Sequence, residues 1–132
     1  MDVLGSSLTD CKQRGEWAEL CFMAKAAGQG FRVSKPHGGS CNYDVGVECA
    51  GLTLKIQVKS TMYRRAGSRS YALNGWKSQH YTRDMVDFFA IYLIPPDTWY
   101  ILPFEATGGN LSLQFTPGAK RSEEHTSELQ SQ

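Results

Sequence analysis

The stretch Tyr43-Asp44-Val45-Gly46-Val47-Glu48-Cys49-Ala50-Gly51-Leu52-Thr53-Leu54-Lys55-Ile56-Gln57-Val58-Lys59 decides the fold. Leu52, Leu54, Ile56 and Val58 alternate with Thr53, Lys55, Gln57 and Lys59, a period of two that specifies one strand. Residues 43–48 alternate the same way, with Asp44 and Glu48 on the polar side. Cys49-Ala50-Gly51-Leu52 closes the pair as a tight hairpin, Gly51 supplying the positive φ that such turns need. With Ala50 and Gly51 as the loop, Asp44 lies opposite Gln57, Val45 opposite Ile56, and Val47 opposite Leu54. A slip of one residue would set the valines against the polar face, so the alternation fixes the register. Opposed side chains sit roughly 5 Å apart at Cβ, and diagonal ones about 7–8 Å. A carboxylate, an amide oxygen and an ammonium therefore converge on one patch. That is the donor set of a metal site with a lysine beside it.

Upstream, Thr9 or Asp10 suits an N-cap and Gly28 or Gly30 a stop, for a helix over about 10–27. Its expected apolar stripe is Trp17, Leu20, Cys21, Ala24 and Ala27. On that wheel Glu16 lies at the stripe's edge and leans toward the sheet, while Glu19 points away into solvent. Residues 31–34 form a short strand, and 37–42 a loop leading into the hairpin. Downstream, strands are expected over 71–73, 88–94, 99–102 and 111–115, with Pro95-Pro96-Asp97 as a turn. One helix followed by a hairpin-rich mixed sheet is an α/β (α+β) domain.

Asp44 with Gln57-Val58-Lys59, preceded by a helix carrying Glu16, resembles the PD-(D/E)XK nuclease superfamily, with glutamine at the second metal position. Val86-Asp87-Phe88-Phe89-Ala90-Ile91-Tyr92, followed by Trp99-Tyr100-Ile101-Leu102-Pro103, resembles a small bacterial and archaeal endonuclease family in that superfamily. That group is similar to Holliday-junction resolvases and to intron-encoded homing endonucleases. The resemblance covers residues 8 to 118. It implies a restriction-endonuclease-like core, a mixed β-sheet with an N-terminal helix packed on it. It also implies Mg²⁺, with Mn²⁺ as an alternative ion, held by Asp44, Gln57 and Glu16, and Lys59 assisting catalysis. The implied reaction is hydrolysis of DNA phosphodiesters leaving a 5′-phosphate, with a homodimer as the usual assembly.

The chemistry of the residues agrees. Mg²⁺ prefers hard oxygen ligands, one or two of them protein carboxylates. A neutral Gln57 amide in place of a carboxylate weakens that site. The bland alternative for Gln57 and Lys59 is a solvated strand face, common in antiparallel sheets. Against it, aspartate is poorly suited to strands and needs a reason to sit at Asp44.

Residues 55–83 hold Lys55, Lys59, Arg64, Arg65, Arg69, Lys77 and Arg83 and no acid, with Tyr63, Tyr71, Trp76 and Tyr81 interleaved. Such a stretch beside a metal site suits a polyanionic backbone, bound without regard to sequence and in a salt-sensitive way. Lys55, Arg64, Arg65, Arg69 and Lys77 are the expected nucleic-acid contacts, with Arg64 and Arg65 foremost. The competing reading is a solvated loop whose charges balance acids elsewhere. His37, in a loop before Gly38-Gly39, reads as a bystander, and Asp87 as a strand start or cap.

Residues 121–132, Arg-Ser-Glu-Glu-His-Thr-Ser-Glu-Leu-Gln-Ser-Gln, resemble a translated sequencing-library adapter, so residues 1–120 are expected to be an endonuclease-like domain truncated at its C-terminus. The chain's net charge is +1; without the Arg and three Glu of 121–132 it is +3. No basic segment leads into an apolar stretch, so no signal peptide is expected, and 88–94 is too short to span a bilayer. Cys11, Cys21, Cys41 and Cys49 lack C-x-x-C spacing and read as free thiols in a reducing compartment, the cytoplasm. Three functions remain open on sequence. They are a metal-dependent DNA endonuclease, a catalytically weak or inactive nucleic-acid-binding module of the same fold, and an inert fragment of a larger nuclease.

Overall fold

Asp10 caps the first helix, α1 (Cys11–Gly28), its carboxylate accepting from the Lys12 and Gln13 amides at 2.9 and 3.3 Å. Gly30, at φ 98°, takes the left-handed turn that ends it. The computed structural model describes residues 10–37, 42–64, 66–73, 81–107, 113–118 and 127–130, the last as backbone. Among the described residues eight strands follow the helix: β1 (Arg32–Ser34), β2 (Val45–Cys49), β3 (Leu52–Thr61), β4 (Tyr71–Leu73), β5 (Phe88–Leu93), β6 (Thr98–Pro103), β7 (Leu113–Phe115) and β8 (Ser127–Gln130). A four-residue helix not expected from sequence, α2 (Phe104–Thr107), follows β6.

The hairpin register is the one the alternation requires. Val45 faces Ile56, Val47 faces Leu54, and Cys49 faces Leu52. Both loop residues have positive φ, Ala50 at 53° and Gly51 at 82°, so the turn strains an alanine as well as using a glycine. β3 then pairs parallel with β5, Gln57 beside Phe89 and Lys59 beside Ile91, and β5 pairs antiparallel with β6. The main sheet runs β1-β2-β3-β5-β6-β8, with β4 and β7 paired as a separate ribbon. Asp87 fastens the parallel junction. Its Oδ2 accepts from the Lys55 amide at 2.8 Å, and its own amide donates to the Lys55 carbonyl at 2.8 Å. β8 lies in the segment expected to be foreign, yet its backbone pairs with β6. A sheet edge accepts any extended chain through main-chain groups alone.

Alternation sorts the strands into two cores. Val45, Val47, Ile56, Val58, Ala90, Tyr92 and Trp99 face α1. Phe89, Ile91, Leu93, Tyr100 and Leu102 face the β4–β7 ribbon through Tyr71, Leu73 and Phe115. The helix sits differently on the sheet from the expected stripe. Ala18, Phe22 and Ala26 are its buried residues, while Leu20 is 59% exposed and Ala24 and Ala27 lie in solvent. Trp17 and Cys21 pack only partly against the core. The buried trio is thus centred roughly 160° round the helix from the expected stripe. Phe22 and Trp99, with ring centroids 5.8 Å apart, outweigh the small apolar residues in choosing the buried face. Among the described residues no helix is long and apolar enough to cross a membrane.

Candidate active site

β2 and β3 part at Asp44. β3 continues to Thr61 against β5, but β2 begins at Val45, which leaves one flank of β3 without a partner strand beyond Ile56. Asp44 fills the gap. Its amide donates to the Ile56 carbonyl at 2.9 Å, and its Oδ2 accepts from the Val58 amide at 2.9 Å, where a further ladder bond would stand. This is the reason for an aspartate here, since an unpaired buried amide is costly. It also holds the carboxylate at the Val58 amide, within reach of the Lys59 charge.

Burial governs the electrostatics. The Asp44 carboxyl is raised to about 6, chiefly by desolvation, with the charge of Glu19 adding and the Val58 amide, Lys59 and Lys35 opposing. Lys59 is lowered by desolvation, opposed by Asp44. Its ammonium lies over the Tyr81 ring, 5.6 Å from the centroid. Tyr81 is raised to about 12 by burial, with Asp44 adding, and stands edge-on to Phe89 at 5.4 Å.

The rotation of α1 exchanges its two acids. Glu16 is exposed. Glu19, expected in solvent, has a side chain only 20% exposed and receives the Lys35 ammonium at 2.9 Å. That hydrogen bond, more than the nearby charges of Asp44 and Glu16, raises the Lys35 pKa. Glu19, Lys35 and Tyr81 lie around Asp44 and Lys59 and were not expected there from sequence. For Glu19, the Phe22 three positions later was the available signal, because one helix face carries both.

The expected nucleic-acid contacts divide. Arg64 and Arg69 are exposed. Lys55 donates its ammonium to the Asp84 carbonyl, which ties it to the β3–β5 junction. Arg83 is held at 2.6 Å by both Asp87 and Glu105, so for this residue the charge-balancing reading holds. Arg65 and Lys77 lie outside the described residues, as do Cys41, Trp76 and His80. His37 is exposed. Among the described residues no three His, Cys, Asp or Glu side chains cluster to hold a metal. Any ion here would need the Gln57 amide oxygen or a backbone carbonyl beside the Asp44 carboxylate. Those are hard oxygen donors of the kind Mg²⁺ takes, and a desolvated carboxylate has an unmet demand for a cation.

A mixed sheet covered on one face by an N-terminal helix, with an acid bridging the point where two strands part, defines a restriction-endonuclease-like fold. The chain belongs to the PD-(D/E)XK endonuclease family, whose sequence pattern matches residues 9–130. Among solved structures it is similar to a bacterial homing endonuclease, I-Ssp6803I, at 24% identity and a TM-score of 0.70, over 86% of this chain and 80% of that one. The Holliday junction resolvase Hjc of Archaeoglobus fulgidus matches at 15% identity and a TM-score of 0.48, over 89% and 84% of the two chains. No curated protein matches the chain.

Proposed function

We propose that this nuclease-family protein is a metal-dependent DNA endonuclease of the cytoplasm that hydrolyses phosphodiester bonds. The observation that carries the reading is the Asp44 carboxylate, pinned at 2.9 Å by the amide of Val58, the residue between Gln57 and Lys59 on β3. Mg²⁺ or Mn²⁺, when bound, supplies charge neutralisation at the scissile phosphate and acidifies a water. Asp44 and the Gln57 amide oxygen hold the ion. Glu19 is the helix acid that joins them in place of the exposed Glu16, after leaving Lys35. Lys59, part-buried with its ammonium over Tyr81, is a cation fixed in a low-dielectric site, where it is worth more to a phosphate than in water. Cutting both strands of a duplex requires two such sites, and a homodimer supplies them.

Incubation of supercoiled plasmid and of branched DNA with Mg²⁺ or Mn²⁺ tests the assignment. The expected result is metal-dependent cleavage that falls by at least about 100-fold in Asp44→Ala and in Lys59→Ala. Cleavage that survives the double substitution contradicts it. The neutral Gln57 favours a second reading, a DNA-binding module of the same fold with little metal affinity. Tight binding without cutting, under either metal, would establish that reading instead.

A further inference from the structure

A polar recess of about 350 Å³ opens at the C-terminal end of β3, beyond Lys59. Two segments far apart in sequence line it with arginines, Arg14 from α1 and Arg64 from the chain after β3. Ser60, Thr61 and Tyr63 complete the polar wall. We infer that this recess is a second phosphate-binding subsite, which grips the DNA backbone beside the cut; the inference rests on the nuclease reading above and deepens it.

The recess is built rather than incidental. Thr61 is buried, its hydroxyl donating to the Ala72 carbonyl at 3.4 Å and accepting from the Tyr63 amide at 3.2 Å. That fixes the backbone from which Tyr63 and Arg64 project. Tyr63 is 63% exposed, and the Arg14 guanidinium lies over its ring, 5.7 Å from the centroid. A ring under a guanidinium limits its rotamers, so less freedom is lost when it meets an anion. No carboxylate lines the recess among the described residues, and the Arg14 guanidinium also donates to the Cys11 sulfur at 3.4 Å. A planar guanidinium matches two phosphate oxygens at once, and two of them on one recess suit a phosphodiester. The volume is about that of a dozen waters, room for a phosphate with its sugar. Lys59 and Arg64 are five residues apart in sequence, at most ~17 Å of extended chain. At roughly 3.4 Å of duplex per base pair, the subsite falls within about five base pairs of the scissile phosphate.

Arg14→Gln and Arg64→Gln test it, since glutamine keeps much of the side-chain stem on Tyr63 while removing the charge. Binding of a fluorescent DNA duplex is measured in EDTA across a salt series, with Lys25→Ala, on the far half of α1, as control. The expected result is about 3- to 10-fold weaker binding for each single variant. For the double variant, the slope of log affinity against log salt should shrink by about two, and the control should not change. A double variant with wild-type affinity and slope overturns the subsite. Cleavage by the wild type is scored separately. A cutting wild type with an unaffected double variant loses only the subsite, and a non-cutting wild type whose binding depends on both arginines loses only the nuclease reading.

Discussion

The β2–β3 hairpin and helix α1 both carry residues around Asp44, and their geometry was unequally legible in the sequence. In the hairpin every partner pair follows from the alternation, because a period of two leaves only one register that buries Val45, Val47, Ile56 and Val58 together. In the helix, small apolar residues lie on several sides, and a stripe through Leu20, Ala24 and Ala27 is as regular as one through Ala18, Phe22 and Ala26. Only the partner sheet, with Trp99 waiting for Phe22, breaks the tie. The difference turns Glu19 toward the sheet and leaves Glu16 exposed.

The largest expected effect separates the two helix faces. Phe22→Ala should cost about 3–5 kcal/mol of stability, whereas Leu20→Ala should stay within about 0.5 kcal/mol, both measured by urea unfolding. The reverse order would restore the stripe through Leu20 and with it Glu16.

Next comes the junction of the two regions. The Asp44 carboxyl titrates near 6 in the fold against an ordinary 3.8. Between those values the folded state holds the extra proton, so stability falls as pH rises across the window, and the cost is fully present above it. Asp44→Asn retains an oxygen for the Val58 amide without the buried charge. It should abolish cleavage yet raise the stability of the metal-free protein, by about 1–3 kcal/mol near pH 8 and by little near pH 4. A gain independent of pH would show that charge burial is not the cause.

The smallest effect concerns the hairpin turn. Ala50 occupies φ 53°, where asparagine or glycine is better tolerated. Ala50→Asn should therefore raise stability by about 0.5–1 kcal/mol in the same unfolding measurement, with cleavage unchanged. A loss instead would mean that the turn is not of the type its dihedrals describe.

What was legible follows from the reach of each interaction. The Asp10 cap, the Gly30 stop, the hairpin and the strand turn at Asp97 are set by residues a few positions apart, and all could be read locally. The parallel β3–β5 pairing could not, because it joins residues 56–61 to 88–93, far apart in sequence. Its fastener, Asp87 on the Lys55 amide, looked like a strand cap because its partner is remote in sequence. The partners of Lys55 and of Arg83 at Glu105 were likewise out of view, since the Asp84 carbonyl and the Glu105 carboxylate lie far from them in sequence. The placement of Asp44 against Val58, between Gln57 and Lys59 in sequence, was legible because one hairpin carries them all. Which helix acid leans toward the sheet was not, because it depends on how a second element is rotated.

The central claim is that the hairpin's Asp44 and Gln57 and the helix's Glu19 meet at one divalent ion. Titration of Mn²⁺ into the metal-free protein, followed by paramagnetic resonance, tests it most directly. Wild type and Glu16→Gln should bind Mn²⁺ equally, Glu19→Gln about tenfold or more weakly, and Asp44→Asn not at all. Binding that survives Asp44→Asn, or that is lost in Glu16→Gln and kept in Glu19→Gln, would contradict the account.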